Sequence, residues 1–520
     1  MNEQDARIAP LERQKRWAPR SRTGCLTCRT RRIKCDEERP VLPVVEASLC
    51  PTPVKPTTAE LALSHYFKIN ITPFSADEFL EPFWSYSVPL ATHSLRPLFH
   101  ASNAVAGLVW SRTPAAKLSP VATTEIYSES ARQYSESTKQ ILKITQVPSP
   151  SAEDKTTVLL ANVLLILYAL EIGDADGVAS INNRSWQLIR YWRFWECIAA
   201  SGIGDMATQV LYFFIRASSF QTSQTHRGRK VAEAWGDAIE WLQQSPLTST
   251  TRAYLELEMI WIGIWAITSN FQQRKIDLET AQHGHATLVE QLSIWDSRYL
   301  AMPYSMLLTT PIHATVLASQ RILINIQLQV TSTHFEEVWQ ETCWDRFHGE
   351  HLRVLRIIES GLGQDDKEDH ENGEKWMQVE TGFTQSLYKA LNSIAKSCRS
   401  PRTRRRAAAT LKAAIRHGLS KLPIKSRIGL TRYCAIYFLV DDIILLEECA
   451  WTDPSLRDGC TDSNKCIKGE YICSRHRVTS VEMVRREGRP PEIRAVTVGD
   501  ILDNTPGQIL TPPAVNVGQN

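Results

Sequence analysis

Three cysteines near the amino terminus have the residue type and the spacing of metal ligands. Cys25 and Cys28 form a Cys-x2-Cys pair, which places two thiolates on one turn, where both can bind a single Zn²⁺ at about 2.3 Å. Cys35 follows after a gap of six residues, which fits a short helix that begins at the metal and returns a third thiolate. Four basic residues stand between these ligands: Arg29, Arg31, Arg32 and Lys34. A metal bound here would present a cationic helix suited to the major groove of DNA.

This segment resembles the fungal Zn2Cys6 binuclear-cluster transcription factors, whose motif is C-x2-C-x6-C-x5-12-C-x2-C-x6-8-C. The stretch Cys25–Pro40 (CLTCRTRRIKCDEERP) matches the first half of that motif. The resemblance implies two short helices around two zinc ions with bridging thiolates, and binding to CGG-type triplets in double-stranded DNA. It also implies that Arg31 and Arg32 contact bases, whereas Arg29 and Lys34 contact phosphates.

The second half of the motif departs from the family pattern. Cysteines are expected near positions 42 and 45, where this sequence has Leu42 and Val45, and Cys50 lies near the position of the last ligand. Three or four thiolates cannot hold a two-metal cluster. Three alternatives follow: one zinc ion bound by Cys25, Cys28, Cys35 and Cys50; loss of the cluster; or an error in the printed sequence after Pro40. The apolar stretch 41–49 favours the third alternative, such as a misassigned exon junction, because it lacks the family's polar, basic character.

A second group of soft metal ligands occurs near the carboxyl end of the chain, at Cys460, Cys466, Cys473 and His476. The gaps of five, six and two residues between them are not a common zinc spacing. The sequence therefore favours free thiols at these positions, with a Cys3His metal site as the alternative.

Charge is distributed unevenly along the 520 residues. Residues 13–35 hold nine basic side chains and no acidic one, and since the net charge of the chain is +3, the remainder sums to −6. A short cationic segment on a mildly acidic body indicates a polyanionic partner for that segment. A further basic run, Lys396–Arg406, is interpreted as a solvated surface segment, with a nuclear-import patch at 402–406 as the functional alternative.

The pattern of residues predicts an all-α protein with a small zinc-ordered module, a proline-rich linker and a large regulatory domain. The predicted organisation is a basic disordered arm at 1–24, the incomplete cluster module at 25–50, a linker at 51–60, a helical domain at 61–450 and a loosely ordered tail at 451–520. The helical domain resembles the fungal-specific regulatory domain that follows such clusters, most clearly over Tyr127–Trp192.

The first and last residues of one helix can be predicted from its capping residues. Ser151 and Asp154 have the arrangement of a capping box, and Gly173 marks the expected end. The apolar run inside it, Val158–Leu170, would reach about 20 Å at 1.5 Å per residue, short of a bilayer core of about 30 Å. A buried helix is therefore expected, with no membrane partner.

The predicted function is that of a zinc-dependent, sequence-specific DNA-binding transcription factor of RNA polymerase II genes, located in the nucleus. Transcription machinery or co-regulators are the expected protein partners, and the resemblance suggests control of a secondary-metabolite gene cluster. An enzyme is not expected, since the sequence contains no G-x-S-x-G, Walker A or H-E-x-x-H motif. The alternative is a helical co-regulator that has lost specific DNA binding. Dimerisation has no support, because Thr57–Tyr66 is too short for three heptads.

Overall fold

The computed structural model describes residues 56–72, 79–80, 83–113, 120–222, 235–303, 305–306, 311–337, 340–362, 385–420, 439–452, 460, 466–484 and 492–510. The chain divides into two compact units, Met1–Thr58 and Ala59–Asn520. Nearly all of the described residues belong to the second unit, and they confirm the predicted all-α fold class of the body.

Helices form most of the second unit. The first eight are α1 Thr58–Asn70, α2 Val88–Ser94, α3 Arg96–Ser111, α4 Pro120–Thr145, α5 Ala152–Ile172, α6 Ala175–Tyr191, α7 Gly204–Thr222 and α8 Trp235–Gln243. The others are α9 Thr250–Gln272, α10 Leu278–Leu300, α11 Pro311–Glu336, α12 His348–Gly361, α13 Gln385–Ser397, α14 Pro401–Ser420, α15 Val440–Thr452 and α16 Val498–Leu502. Three strands follow α15, namely β1 Val478–Val484, β2 Glu492–Thr497 and β3 Gln508–Leu510.

Helix α5 begins and ends where its sequence signals indicate. The hydroxyl of Ser151 accepts from the backbone N–H of Asp154 at 3.0 Å, and the carboxylate of Asp154 accepts from the backbone N–H of Ser151 at 3.2 Å. Gly173 ends the helix in the left-handed region at φ 77°. Among the described helices, α5 is long and apolar enough to cross a membrane, yet 72% of its most apolar window is buried inside the fold. Its burial between α3, α6 and α7 is that of a central core helix.

Helix α9 is the second central element, and it packs against α7, α10 and α11. Its Glu258 is fully buried and receives two 2.8 Å hydrogen bonds from the ammonium of Lys389 on α13. Burial alone would raise the pKa of Glu258, but Lys389 and the guanidinium of Arg216 on α7 lower it to about 2. A charged network therefore connects three helices inside the core.

The carboxyl-terminal region forms an antiparallel sheet in the order β1-β2-β3. Strands β1 and β2 pair from Val478 opposite Thr497 to Val484 opposite Glu492, with a bulge near Ser480. Inward-facing Val481, Ile493 and Ala495 pack with Ile443 of α15. This ordered sheet differs from the loosely ordered tail expected from composition, because the apolar face of α15 supplies the surface that the strands cover.

Candidate metal centres

The amino-terminal candidate ligands, Cys25, Cys28, Cys35 and Cys50, lie outside the described residues. The same is true of the candidate DNA-binding residues Arg29, Arg31, Arg32 and Lys34. The support for their roles therefore comes from the sequence and from comparison with known proteins.

The carboxyl-terminal group is described, and the fold brings its four side chains together. The sulfur atoms of Cys460, Cys466 and Cys473 and one ring nitrogen of His476 all lie within 4.8 Å of one another. The Nδ1 atom of His476 is 3.1 Å from the sulfur of Cys473, 3.5 Å from that of Cys466 and 4.0 Å from that of Cys460. The three cysteines are free thiols, as the irregular spacing favours, and they also lie close enough to His476 for the alternative, a Cys3His metal site.

A tight turn positions two of the three thiols. Ile467 and Tyr471 form an antiparallel bridge with reciprocal backbone hydrogen bonds of 2.9 Å, and Gly469 between them has φ 79°, a conformation that favours glycine. This bridge brings Cys466 and Cys473 to its open end, where the backbone N–H of Cys473 donates to the sulfur of Cys466 at 3.2 Å. A 3-10 turn, Ser474–His476, then places the imidazole of His476 next to the sulfur atoms.

The thiols of Cys466 and Cys473 influence each other's protonation through a direct hydrogen bond. The side-chain hydrogen bond between them lowers the pKa of Cys466 and raises the pKa of Cys473 to about 12. The backbone N–H of Cys473 further lowers the pKa of Cys466. The arrangement thus favours a thiolate on Cys466 that accepts a hydrogen bond from the protonated thiol of Cys473.

The surroundings hold this group against the helical body. The indole N–H of Trp451 donates to the carbonyl of Tyr471 at 2.9 Å, and Trp451 packs with Ile472 and the cysteines in a small apolar cluster. Arg477, which follows the histidine directly, is fully buried and forms two bonds of 2.8 and 2.7 Å with the carboxylate of Asp345. The backbone on either side of His476 is therefore anchored.

The basic run Lys396–Arg406 is only partly the solvated segment of its interpretation, because two of its arginines are buried. Arg402, Arg405 and Arg406 are exposed. Arg404 is completely buried and donates to Glu447 of α15 at 2.6 Å, and buried Arg399 lies 3.2 Å from the same carboxylate. Arg405 and Arg406 pair with Glu448 and Glu359. The run therefore joins α14 to α15 and α12 through ion pairs.

Comparison with known protein families decides the class of the amino-terminal segment. The model of the fungal Zn(2)-Cys(6) binuclear cluster domain matches residues 23–50. This segment is a fungal Zn(2)-Cys(6) cluster domain. The match confirms the predicted family and the predicted zinc cofactor of the segment.

One curated relative also carries this family's name. It is the Zn(2)-C6 fungal-type transcription factor afumD of Aspergillus fumigatus (strain CBS 144.89 / FGSC A1163 / CEA10), which is 33% identical over 132 residues, an alignment covering 18% of this chain. The chain spans about a third of that relative's length, 35%. No solved structure matches this chain.

Proposed function

We propose that this protein is a zinc-dependent, sequence-specific DNA-binding transcription factor. The observation that carries the proposal is the match of residues 23–50 to the Zn(2)-Cys(6) cluster domain, within the segment that concentrates the chain's positive charge. The printed name of the Aspergillus relative, a transcription factor, supports the same class. The family is one of transcription factors, so no enzymatic activity is proposed for this chain. A nuclear location follows from the proposed function.

The chain as printed is proposed to hold one zinc ion in this domain, through Cys25, Cys28, Cys35 and Cys50. The match extends as far as Cys50, which supports its inclusion, and four thiolates satisfy the tetrahedral preference of Zn²⁺. The missing cysteines near 42 and 45 leave too few ligands for a second ion. A transcript that encodes additional cysteines in this stretch would restore two ions.

The zinc-ordered segment is proposed to bind in the major groove. Arg31 and Arg32 are proposed to contact base edges, because a guanidinium can donate two hydrogen bonds to O6 and N7 of guanine, which suits a CGG-type triplet. Arg29 and Lys34 are proposed to contact phosphates, which position the domain without reading sequence. The helical body would then regulate this activity, through the transcription machinery or co-regulators, at genes that include a biosynthetic cluster.

Two substitutions distinguish base reading from phosphate binding. Arg32→Ala is expected to weaken binding to the preferred duplex by about 1–3 kcal/mol and to relax sequence preference at one position. Lys34→Ala is expected to weaken binding to all duplexes alike and to reduce the slope of log affinity against log salt by about one. Fluorescence anisotropy of the intact chain on duplexes selected from a random library measures both effects.

Arg190→Ala, which removes one exposed charge from α6 of the helical body, is the control and should change neither quantity. If Arg32→Ala and Lys34→Ala also leave both quantities unchanged, the cluster segment is not the reader. The second candidate, a co-regulator without specific DNA binding, is favoured by the absent second-half cysteines and would then stand.

A further inference from the structure

We propose that Cys460, Cys466, Cys473 and His476 bind one structural Zn²⁺. This carboxyl-terminal zinc site is separate from the amino-terminal cluster domain, and neither the family match nor the curated relative assigns it. The proposal does not depend on DNA binding, because the ligands are described residues of the helical unit.

The spacing of the ligand atoms fits a single tetrahedral ion. With Zn–S bonds of about 2.3 Å and Zn–N bonds of about 2.0 Å, a tetrahedron places sulfur and nitrogen ligands about 3.5 Å apart. The three sulfur-to-Nδ1 distances are 3.1, 3.5 and 4.0 Å, which scatter around that value. The imidazole nitrogen therefore lies within about 0.5 Å of the required distance from each of the three sulfur atoms.

The ligand chemistry selects zinc over other common cations. Three thiols and one imidazole form a soft donor set, which suits Zn²⁺ and does not suit Mg²⁺ or Ca²⁺, whose ligands are oxygens. Four protein ligands fill a tetrahedral shell and leave no open position for water or substrate, which is the pattern of structural zinc sites. The site is therefore assigned a structural role.

The surrounding groups are those that orient and stabilise metal ligands. The backbone N–H of Cys473 donates to the sulfur of Cys466, and such hydrogen bonds favour the thiolate that a metal requires. Cys466 and Cys473 are buried in an apolar cluster with Trp451, which limits access of water to the ion. Arg477 fixes the backbone next to His476 through Asp345.

The ion would connect three short segments that lie within 17 residues of one another in the chain, from Cys460 to His476. Cys460 lies on the segment after α15, Cys466 and Cys473 lie at the ends of the Ile467–Tyr471 turn, and His476 directly precedes β1. Zinc would thereby fasten Cys460, on the segment that follows α15, to the residues that directly precede β1. Removal of zinc is expected to loosen the sheet while leaving α5 and α9 in place.

The test uses the intact chain with its four amino-terminal cysteines replaced by serine, so that zinc at the cluster domain cannot contribute. Metal analysis after purification and dialysis against buffer with Zn²⁺ is expected to find one zinc per chain. Cys473→Ser in that background is expected to abolish this zinc. Cys449→Ser, which changes a half-buried thiol of α15 outside the group, is expected to retain it.

Two substitutions of His476 distinguish the loss of a zinc ligand from a general failure to fold. His476→Cys keeps four zinc ligands and should retain one ion, whereas His476→Phe should lose it although both variants alter the same position. Replacement of zinc by Co²⁺ should give the intense visible bands of a tetrahedral thiolate complex. Absence of metal from the parent chain, a different bound metal, or a disulfide between two of the three cysteines would overturn the proposal.

These outcomes are independent of the proposed function. Loss of sequence-specific DNA binding without any change at the carboxyl-terminal site would contradict the transcription-factor assignment alone. Absence of the carboxyl-terminal zinc from a chain that still selects a DNA sequence would contradict only the second metal site.

Discussion

Cys28→Ser in the intact chain is expected to remove the amino-terminal zinc and, with it, the preference for any DNA sequence. The substitution leaves three thiolates, and a complete structural zinc site contributes roughly 10–16 kcal/mol to the folding of a small module. A module of this size buries too little surface to fold without its metal. Zinc per chain should fall by one, and affinity for the preferred duplex should fall to the nonspecific level, a loss of about 10³-fold or more.

Cys449→Ser provides the matched control, because it exchanges the same atoms at a thiol in the described helical unit. It should retain both the zinc content and the DNA affinity of the parent chain. A Cys28→Ser chain with unchanged metal content and unchanged sequence preference would show that the amino-terminal thiolates do not organise the reader.

The second large effect is expected at Glu447, the carboxylate that joins three elements. Its oxygens lie 2.6 Å from Arg404 and 3.2 Å from Arg399, and one of them accepts from the backbone N–H of Val478 at 2.8 Å. Glu447→Gln keeps the shape but removes the nearest negative charge from two buried guanidinium groups, whose second carboxylates, on Glu448 and Glu341, lie 4.0 Å away. The free energy of unfolding, measured in urea by tryptophan fluorescence, should fall by about 3–5 kcal/mol.

Asp441→Asn on the same helix is the control for this measurement. Asp441 is about half exposed and pairs with Lys412, and an exposed ion pair contributes about 1 kcal/mol or less. Equal losses in the two variants would mean that the buried network contributes no more than a surface pair, and that α14 and α15 are held by apolar packing alone.

Local sequence signals are sufficient to predict the helices of the core. The capping box at Ser151 and the glycine at position 173 define α5 to within a residue, because both signals act through hydrogen bonds and backbone angles inside the helix itself. Helices α7 and α9 also carry a local signal, since their apolar residues recur over several turns in the pattern typical of a helix.

The carboxyl-terminal sheet could not be anticipated in the same way. Its strands are short, and Val481, Ile493 and Ala495 are buried only because α15 lies beneath them. Strands β1 and β2 pair across separate segments of the chain, and amino-acid composition cannot predict such a contact. The glycine- and proline-containing stretches that suggested disorder also supply turns, as at Gly507 with φ 74°.

The carboxyl-terminal group of three cysteines and one histidine shows the limit of judging a site by spacing alone. The gaps of five, six and two residues are irregular, yet the Ile467–Tyr471 bridge closes the six-residue gap so that Cys466 and Cys473 meet. The signal available in the sequence was the presence of four soft ligands between positions 460 and 476, with a glycine inside the central gap. The basic run was misjudged for a related reason, since the carboxylates that pair with Arg399 and Arg404 lie on a different helix.

We expect the zinc-bound amino-terminal segment to recognise a DNA sequence. The most direct test is the ratio of the chain's affinities for a selected duplex and for a scrambled duplex. The intact chain is titrated at one salt concentration against its library-selected duplex and against a scrambled duplex of identical composition, with Cys28→Ser measured in parallel. We expect a ratio of about 10³ or more for the intact chain and a ratio near one for the variant. A ratio near one for the intact, zinc-loaded chain would contradict the assignment.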